Sequence, residues 1–258
     1  MDMRLYTIGH SNQTVEEFLQ MIRSFGVNCI IDVRSMPYSK YTPQFNQEAL
    51  KGVLGRNGIL YAHFGLEFGA RRSDCLVEME FVKKGVKETH RQVNFEEGVK
   101  TEAFLRGTER LKNALGQGRI VALMCSESNP LECHRFSFLS RYFHEQGWDV
   151  KHIQRVQRVQ RVQRVQKVQG VQEVQEVQEV QEVQELVAKS HDELEREMIA
   201  DYVAHGKLRK TEAQSGPSLF SFDDLGDTYD EKQQRIDAYR LKNKEIGWIP
   251  EEAVDEEI

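Results

Sequence analysis

The sequence predicts an α/β protein: an open, mostly parallel sheet with helices on both faces, followed by a repeat insert, a C-terminal helix and an acidic tail. Three observations carry this. Short apolar runs end at clusters of polar residues, apolar residues recur at helical spacing between those runs, and glycines close the intervening helices.

The first strand is Arg4–Ile8, stopping at Gly9-His10-Ser11-Asn12. Thr14, with Glu17 three residues on, has the spacing of a capping box, and Phe18, Leu19, Ile22 and Phe25 follow at helical spacing up to Gly26. Val27–Val33 is an apolar run ending in Asp32-Val33-Arg34-Ser35. Pro37 and Pro43 mark a loop, and a helix from Phe45 or Asn46 runs through Leu54 to the Gly55–Gly58 turn. Ile59–His63 is a third strand. Residues 70–100 show no clean period. A helix over Glu102–Leu115 leads through Gly116–Gly118 into the strand Arg119–Met124, which ends at Cys125-Ser126-Glu127. Asn129-Pro130 opens a helix carrying Cys133-His134-Arg135, and Asp149–Ile153 is a further strand. Right-handed crossovers place the strand C-termini on one edge, where open α/β sheets bind ligands.

From Val156 to Leu186 the chain repeats V-Q-x, with x running from Arg155 to Lys167, through Gly170, to Glu173 and on to Glu185. A period of three matches neither helix nor strand, so no face stays apolar. A hairpin turning at Gly170 would mirror five basic positions onto five acidic ones, Arg155 onto Glu185 among them. Exposed pairs contribute only about 0–1 kcal/mol each and do not fold such a tract by themselves. A surface insert without function is the leading reading, because long loop insertions cost little entropy; a spacer or self-association element is the other.

The organisation read from these signals is an α/β domain over 1–153, a triplet-repeat insert over 154–186, a helix over 187–205 completing the domain, and an acidic tail over 206–258. That tail is largely disordered by composition, with a helix possible over 229–243. Of the net charge of −6, residues 1–153 hold +2 and residues 187–258 hold −8. A broad basic nucleic-acid face is not supported. No apolar run reaches the length of a membrane span, and the first residues lack the pattern of a signal peptide, so a cytoplasmic protein is expected. Cys29, Cys75, Cys125 and Cys133 are then expected as thiols.

The candidate chemistry gathers at the strand ends. Cys125 lies past a buried strand, and the helix beginning near Cys133, His134 and Arg135 offers N–H groups that favour an anion. The functional reading makes Cys125 a thiolate nucleophile, Glu127 a general acid or base, Asp32 a base or a group orienting His10, and His10 a further base. Arg34, Arg135, His134 and Arg72 are the anion-binding candidates, Arg72 with Arg71 in a basic loop over the cleft, while Ser11, Ser39 and Tyr61 add hydroxyls. The plain structural reading makes the cysteines core residues and the charged groups local ion pairs. A third reading takes Cys125, Cys133 and His134, with His10 or His152, as ligands of zinc or iron, although the spacing is not that of common zinc sites. No other cofactor is expected, and no glycine-rich nucleotide fingerprint is present.

Several linked motifs carry a resemblance: Thr7-Ile8-Gly9-His10-Ser11-Asn12, Asp32-Val33-Arg34-Ser35-Met36-Pro37-Tyr38-Ser39, Pro43-Gln44-Phe45-Asn46, Gly58-Ile59-Leu60-Tyr61, and Leu123-Met124-Cys125-Ser126-Glu127 with Cys133-His134-Arg135. Together they resemble the domain-of-unknown-function family numbered 488. The resemblance covers residues 4–153 and resumes at His191-Asp192-Glu193-Leu194-Glu195, which implies that the repeat is inserted into a short loop near the C-terminal end. It implies no activity. The residues themselves point to an enzyme, a cysteine-dependent transferase or hydrolase acting on a phosphate-bearing substrate, a nucleotide or nucleic-acid end among them. The alternatives are a non-catalytic binding module linked to replication or repair through the tail, and a metal-binding scaffold. Pro217-Ser218-Leu219-Phe220 loosely resembles motifs that dock on a bacterial sliding clamp.

Overall fold

The computed structural model describes residues 3–83, 86–167, 174–211 and 229–250. Strands β1 (Arg4–Gly9), β2 (Cys29–Asp32), β3 (Leu60–His63), β6 (Val121–Cys125), β7 (Asp149–Lys167) and β8 (Val174–Ser190) form one sheet in the order β3-β2-β6-β1-β7-β8. All neighbours are parallel except β7 and β8. The expected mostly parallel α/β sheet is therefore the observed fold.

Period two along the strands sorts the residues onto two faces. Leu5, Cys29, Ile31, Leu123 and Cys125 enter one core, shared with Phe104 of α5 (Glu102–Gly116) and Phe138 of a π-helical turn (Arg135–Ser140). That turn continues into α6 (Arg141–Glu145). Tyr6, Ile8, Ile30, Ala122 and Met124 face the other core. Helices α1 (Val15–Ser24) and α2 (Gln47–Arg56) cover it with Phe18, Ile22, Leu50 and Leu54. The capping box read from Thr14 and Glu17 is formed in both directions, and Gly26 leaves the helix at φ +68°. Short helices α3 (Gly65–Phe68) and α4 (Phe95–Gly98) flank the first core.

The unreadable stretch 70–100 contains a hairpin, β4 (Leu76–Lys83) with β5 (Val86–Val93), outside the main sheet.

The repeat is extended backbone over the described parts of β7 and β8, and the turn expected at Gly170 lies outside the described residues. Its register is displaced by one residue from the charge mirror: Arg155 faces Leu186, and Val156 faces Glu185. A one-residue slip exchanges the two faces of a strand, and here apolar burial decides it, because Leu186 and Ala188 pack on the second core. Arg155 pairs instead with Glu17 at 3.0 Å.

The tail departs from the expectation of disorder over part of its length. Helix α8 (Glu231–Ile246) docks with α7 (His191–Ala204) around Phe136, Leu194, Met198, Tyr202 and Tyr239. Asn243 ties α8 to the hairpin: its Oδ1 accepts from Phe95 N at 2.7 Å and its Nδ2 donates to Val93 O at 2.9 Å. This helix falls on the stretch where the sequence allows one, over 229–243, and a few buried contacts anchor it. The Pro217–Phe220 segment lies outside the described residues. Among the described residues no helix is long and apolar enough to cross a membrane.

Candidate functional site

The C-terminal ends of β1, β2 and β6 lie side by side, because Gly9 pairs with Cys125 and Asp32 with Met124. Backbone bonds continue past the strands: His10 N–H donates to Cys125 O at 3.0 Å and Ser11 N–H to Ser126 O at 2.8 Å. Gly9 permits this approach, since a Cβ there would collide with the Glu127 carbonyl.

A buried polar network occupies the β1–β2 side. Arg34 donates from Nε and Nη2 to the two Asp32 carboxylate oxygens at 2.9 and 2.6 Å, and from Nη2 to Phe45 O at 2.8 Å. Tyr61 donates to Asp32 at 2.8 Å, and burial beside that carboxylate holds the phenol well above its ordinary pKa. His10 Nδ1 lies 2.7 Å from Ser11 O, and its Nε2 lies 3.0 Å from Arg34 Nη1. A carbonyl accepts, so Nδ1 carries the hydrogen and Nε2 receives one from Arg34. Burial, reinforced by the Arg34 charge, brings His10 down to about 4. Asp32 and His10 are thus committed as acceptors within this network, and the Asp32–Arg34 pair is a fully buried fork.

The β6 side holds sulfur. Period two turns Cys125 toward the helix that follows, and the 3₁₀ turn Pro130–Glu132 brings Cys133 and His134 back to it. His134 Nδ1 lies 3.8 Å from Cys125 Sγ and 3.7 Å from Cys133 Sγ. All three residues are buried. The two thiols are shifted in opposite directions. Burial pushes Cys133 up, but the hydrogen bond from Cys125 and the charge and N–H groups of Arg135 outweigh burial and bring it to about 6. Cys125, as the donor of that bond and itself buried, is pushed up.

Arg135 is 1 % exposed. It donates to Glu127 O at 2.5 Å and Ser128 O at 2.9 Å, bracing the loop after β6. Among the described residues no carboxylate pairs with it. It acts from within the wall and does not line the cleft.

The cleft over this edge measures about 520 Å³. Cys125, Cys133 and His134 lie on its floor, with Arg34 at one side. Ser35, Tyr38, Arg71, Ser126, Glu127 and Glu132 form the rest of its polar wall. The structure thus brings together Cys125, Glu127, Arg34 and His134 from the sequence-based candidates. Others it places elsewhere. Arg72 is buried and occupied by Asp74, Glu67 O and Thr101; the exposed Arg71 is the arginine of that loop that meets the cleft. Ser39 accepts bonds from Tyr41 and Thr42 N–H within its own turn. Ser11, at φ +46°, borders a separate cavity beside Gln154 and Arg155. His152 is hydrogen-bonded to Thr7 and His191, away from the sulfur cluster. Sequence reasoning missed Ile246, which α8 brings to the cleft; nothing local marks a residue 110 or more positions from its neighbours there.

A family model described as "Domain of unknown function DUF488" matches residues 14–142. No curated protein and no solved structure matches.

Proposed function

Because the chain belongs to the DUF488 family, whose description assigns no activity, we propose a function from the geometry of its site: an enzyme that binds an anionic, phosphate-bearing substrate in the strand-end cleft, with the Cys125–Cys133–His134 cluster as its reactive centre. The observation that carries this reading is the placement of that cluster on the floor of the same cleft that Arg71 and Arg34 border. Arg34 is neutralised by Asp32, whereas Arg71 meets no carboxylate among the described residues. Arg71 is therefore the cation available to an incoming anion, with Ser35, Ser126 and Tyr38 as hydroxyl partners. Glu127 borders the cleft and is the acid–base candidate; its backbone, not its carboxylate, is engaged by Arg135. Titration with inorganic pyrophosphate and with a nucleoside monophosphate, followed by calorimetry, tests the binding half. Arg71→Ala is expected to weaken binding about tenfold, a loss near 1.4 kcal/mol. Turnover on a panel of phosphate esters tests the other half, and is expected to vanish in Cys133→Ser. Absence of anion binding, or turnover indifferent to Cys133, would overturn the reading.

Within the same proposal, the V-Q-x tract is an inert insertion between the family's last strand and the helix at His191. The pairing of Ile153 with Ala188 supports this, since the stem is closed before the repeat begins.

A further inference from the structure

We propose that Cys125, Cys133 and His134 form a three-ligand zinc site whose fourth position faces the cleft. This rests on the reading of the cluster as the reactive centre and specifies its chemistry.

Sγ of Cys125, Sγ of Cys133 and Nδ1 of His134 all lie within 4.8 Å of one another. Zinc bonds of about 2.3 Å to sulfur and about 2.0–2.1 Å to nitrogen set tetrahedral sulfur–nitrogen edges near 3.5–3.6 Å. The two edges here, 3.8 and 3.7 Å, are close to that value. Two thiolates and an imidazole make a donor set that favours zinc over hard cations.

The second observation is the condition of the imidazole. His134 is 7 % exposed. Its Nδ1 is turned between the two sulfurs, at sulfur contact distances of 3.8 and 3.7 Å, and its Nε2 has no hydrogen-bond partner among the described residues. A buried ring is not left in that condition without reason. Nδ1, turned between the two sulfurs, is the atom that a metal ion shared with them would take.

The surroundings fit a thiolate site. The buried guanidinium of Arg135 lies near Cys133, a positive charge that favours thiolate sulfur. Cys29 and Cys75 provide the internal contrast: both are buried, yet among the described residues neither belongs to a converging group of ligands. Three protein ligands and one open side is the pattern of a catalytic zinc site, in which structural sites would use four. The open side here is the cleft that holds Arg71 and Glu127.

The test uses the full chain, stripped of metal with a chelator under reducing conditions and titrated with zinc alone against a chromogenic competitor. One zinc per chain is expected. Cobalt in its place should give a sulfur-to-cobalt charge-transfer band and the strong visible bands of a tetrahedral ion, which report the ligands without any substitution. Cys125→Ala, Cys133→Ala and His134→Ala should each weaken zinc by more than the roughly 100-fold that follows loss of an outer-shell partner, while Cys29→Ala with Cys75→Ala should leave it unchanged. A chain that binds no zinc, or cobalt bound without the charge-transfer band, would overturn the site. If Arg71-dependent anion binding persists in that case, the metal centre alone falls and the cleft keeps its assignment.

Discussion

His10 Nε2 accepts a hydrogen bond from Arg34 Nη1 at 3.0 Å, which completes the partners of a buried guanidinium. The ring also stacks on Phe45 at 4.3 Å. His10→Leu removes the acceptor and leaves a buried charged donor unpaired, which costs about 2–3 kcal/mol. His10→Gln, whose amide oxygen can accept, should recover part of that loss. Urea denaturation of the two variants checks the order; equal stability would show that the bond contributes nothing.

Gly9 is required by the Glu127 carbonyl lying against it. Gly9→Ala should push the loop after β6 away from β1 and destabilise the fold by about 2–3 kcal/mol. The same displacement should loosen Cys133, seen as faster alkylation of native protein. A variant as stable as the parent would show that the loop yields freely.

A buried relay joins β1, β7, α7 and α8. Tyr239 donates to Glu195 at 2.8 Å, so it accepts from His191 Nε2 at 2.8 Å. His191 Nδ1 then accepts from His152 Nε2 at 3.2 Å, and His152 Nδ1 accepts from Thr7 at 2.8 Å. Every donor is used once, which requires both rings to be neutral. Burial, with the Arg135 charge adding to it, brings His152 down to about 3, and burial beside His152 holds His191 well below its ordinary value. Because the folded values lie below the unfolded value of 6.5, the unfolded chain binds more protons between them. Stability present above pH 6.5 is therefore lost as pH falls toward 3. Denaturation midpoints at pH 7 and pH 5 should differ, and His152→Gln should reduce the difference. A midpoint independent of pH across this range would remove the relay as the cause.

Deleting 158–183 and joining Gln157 to Gln184 through Asn-Gly should change stability by less than about 1 kcal/mol, since these two residues already face each other. Anion binding in the cleft should be unaltered. Loss of either would assign the repeat a role in the domain.

Much of the fold is legible in short windows of sequence. Phe18 and Ile22 at helical spacing, the Thr14–Glu17 box and the apolar run to Met124 are local signals, and each element forms where they place it. The β4–β5 hairpin is not legible, because its order depends on partners such as Asn243 and Trp248 that lie about 150 residues away. For the site, the strand-end rule brings Cys125, Arg34 and Glu127 to one edge from sequence alone. Which charges are free there is a matter of tertiary pairing. Arg34 and Arg72 read alike in sequence, yet Asp32 neutralises the first and Asp74 the second, and Arg71 is the one left facing the cleft. The Cys125 and Cys133 thiols are likewise shifted in opposite directions by burial, by their contact with each other and by the Arg135 charge, which only the assembled fold brings together. Periodicity determined the sheet and its loaded edge, since side-chain alternation is a local property of the backbone. Packing decided the geometry of the cleft, since hydrogen-bond partners and burial are properties of the assembled fold.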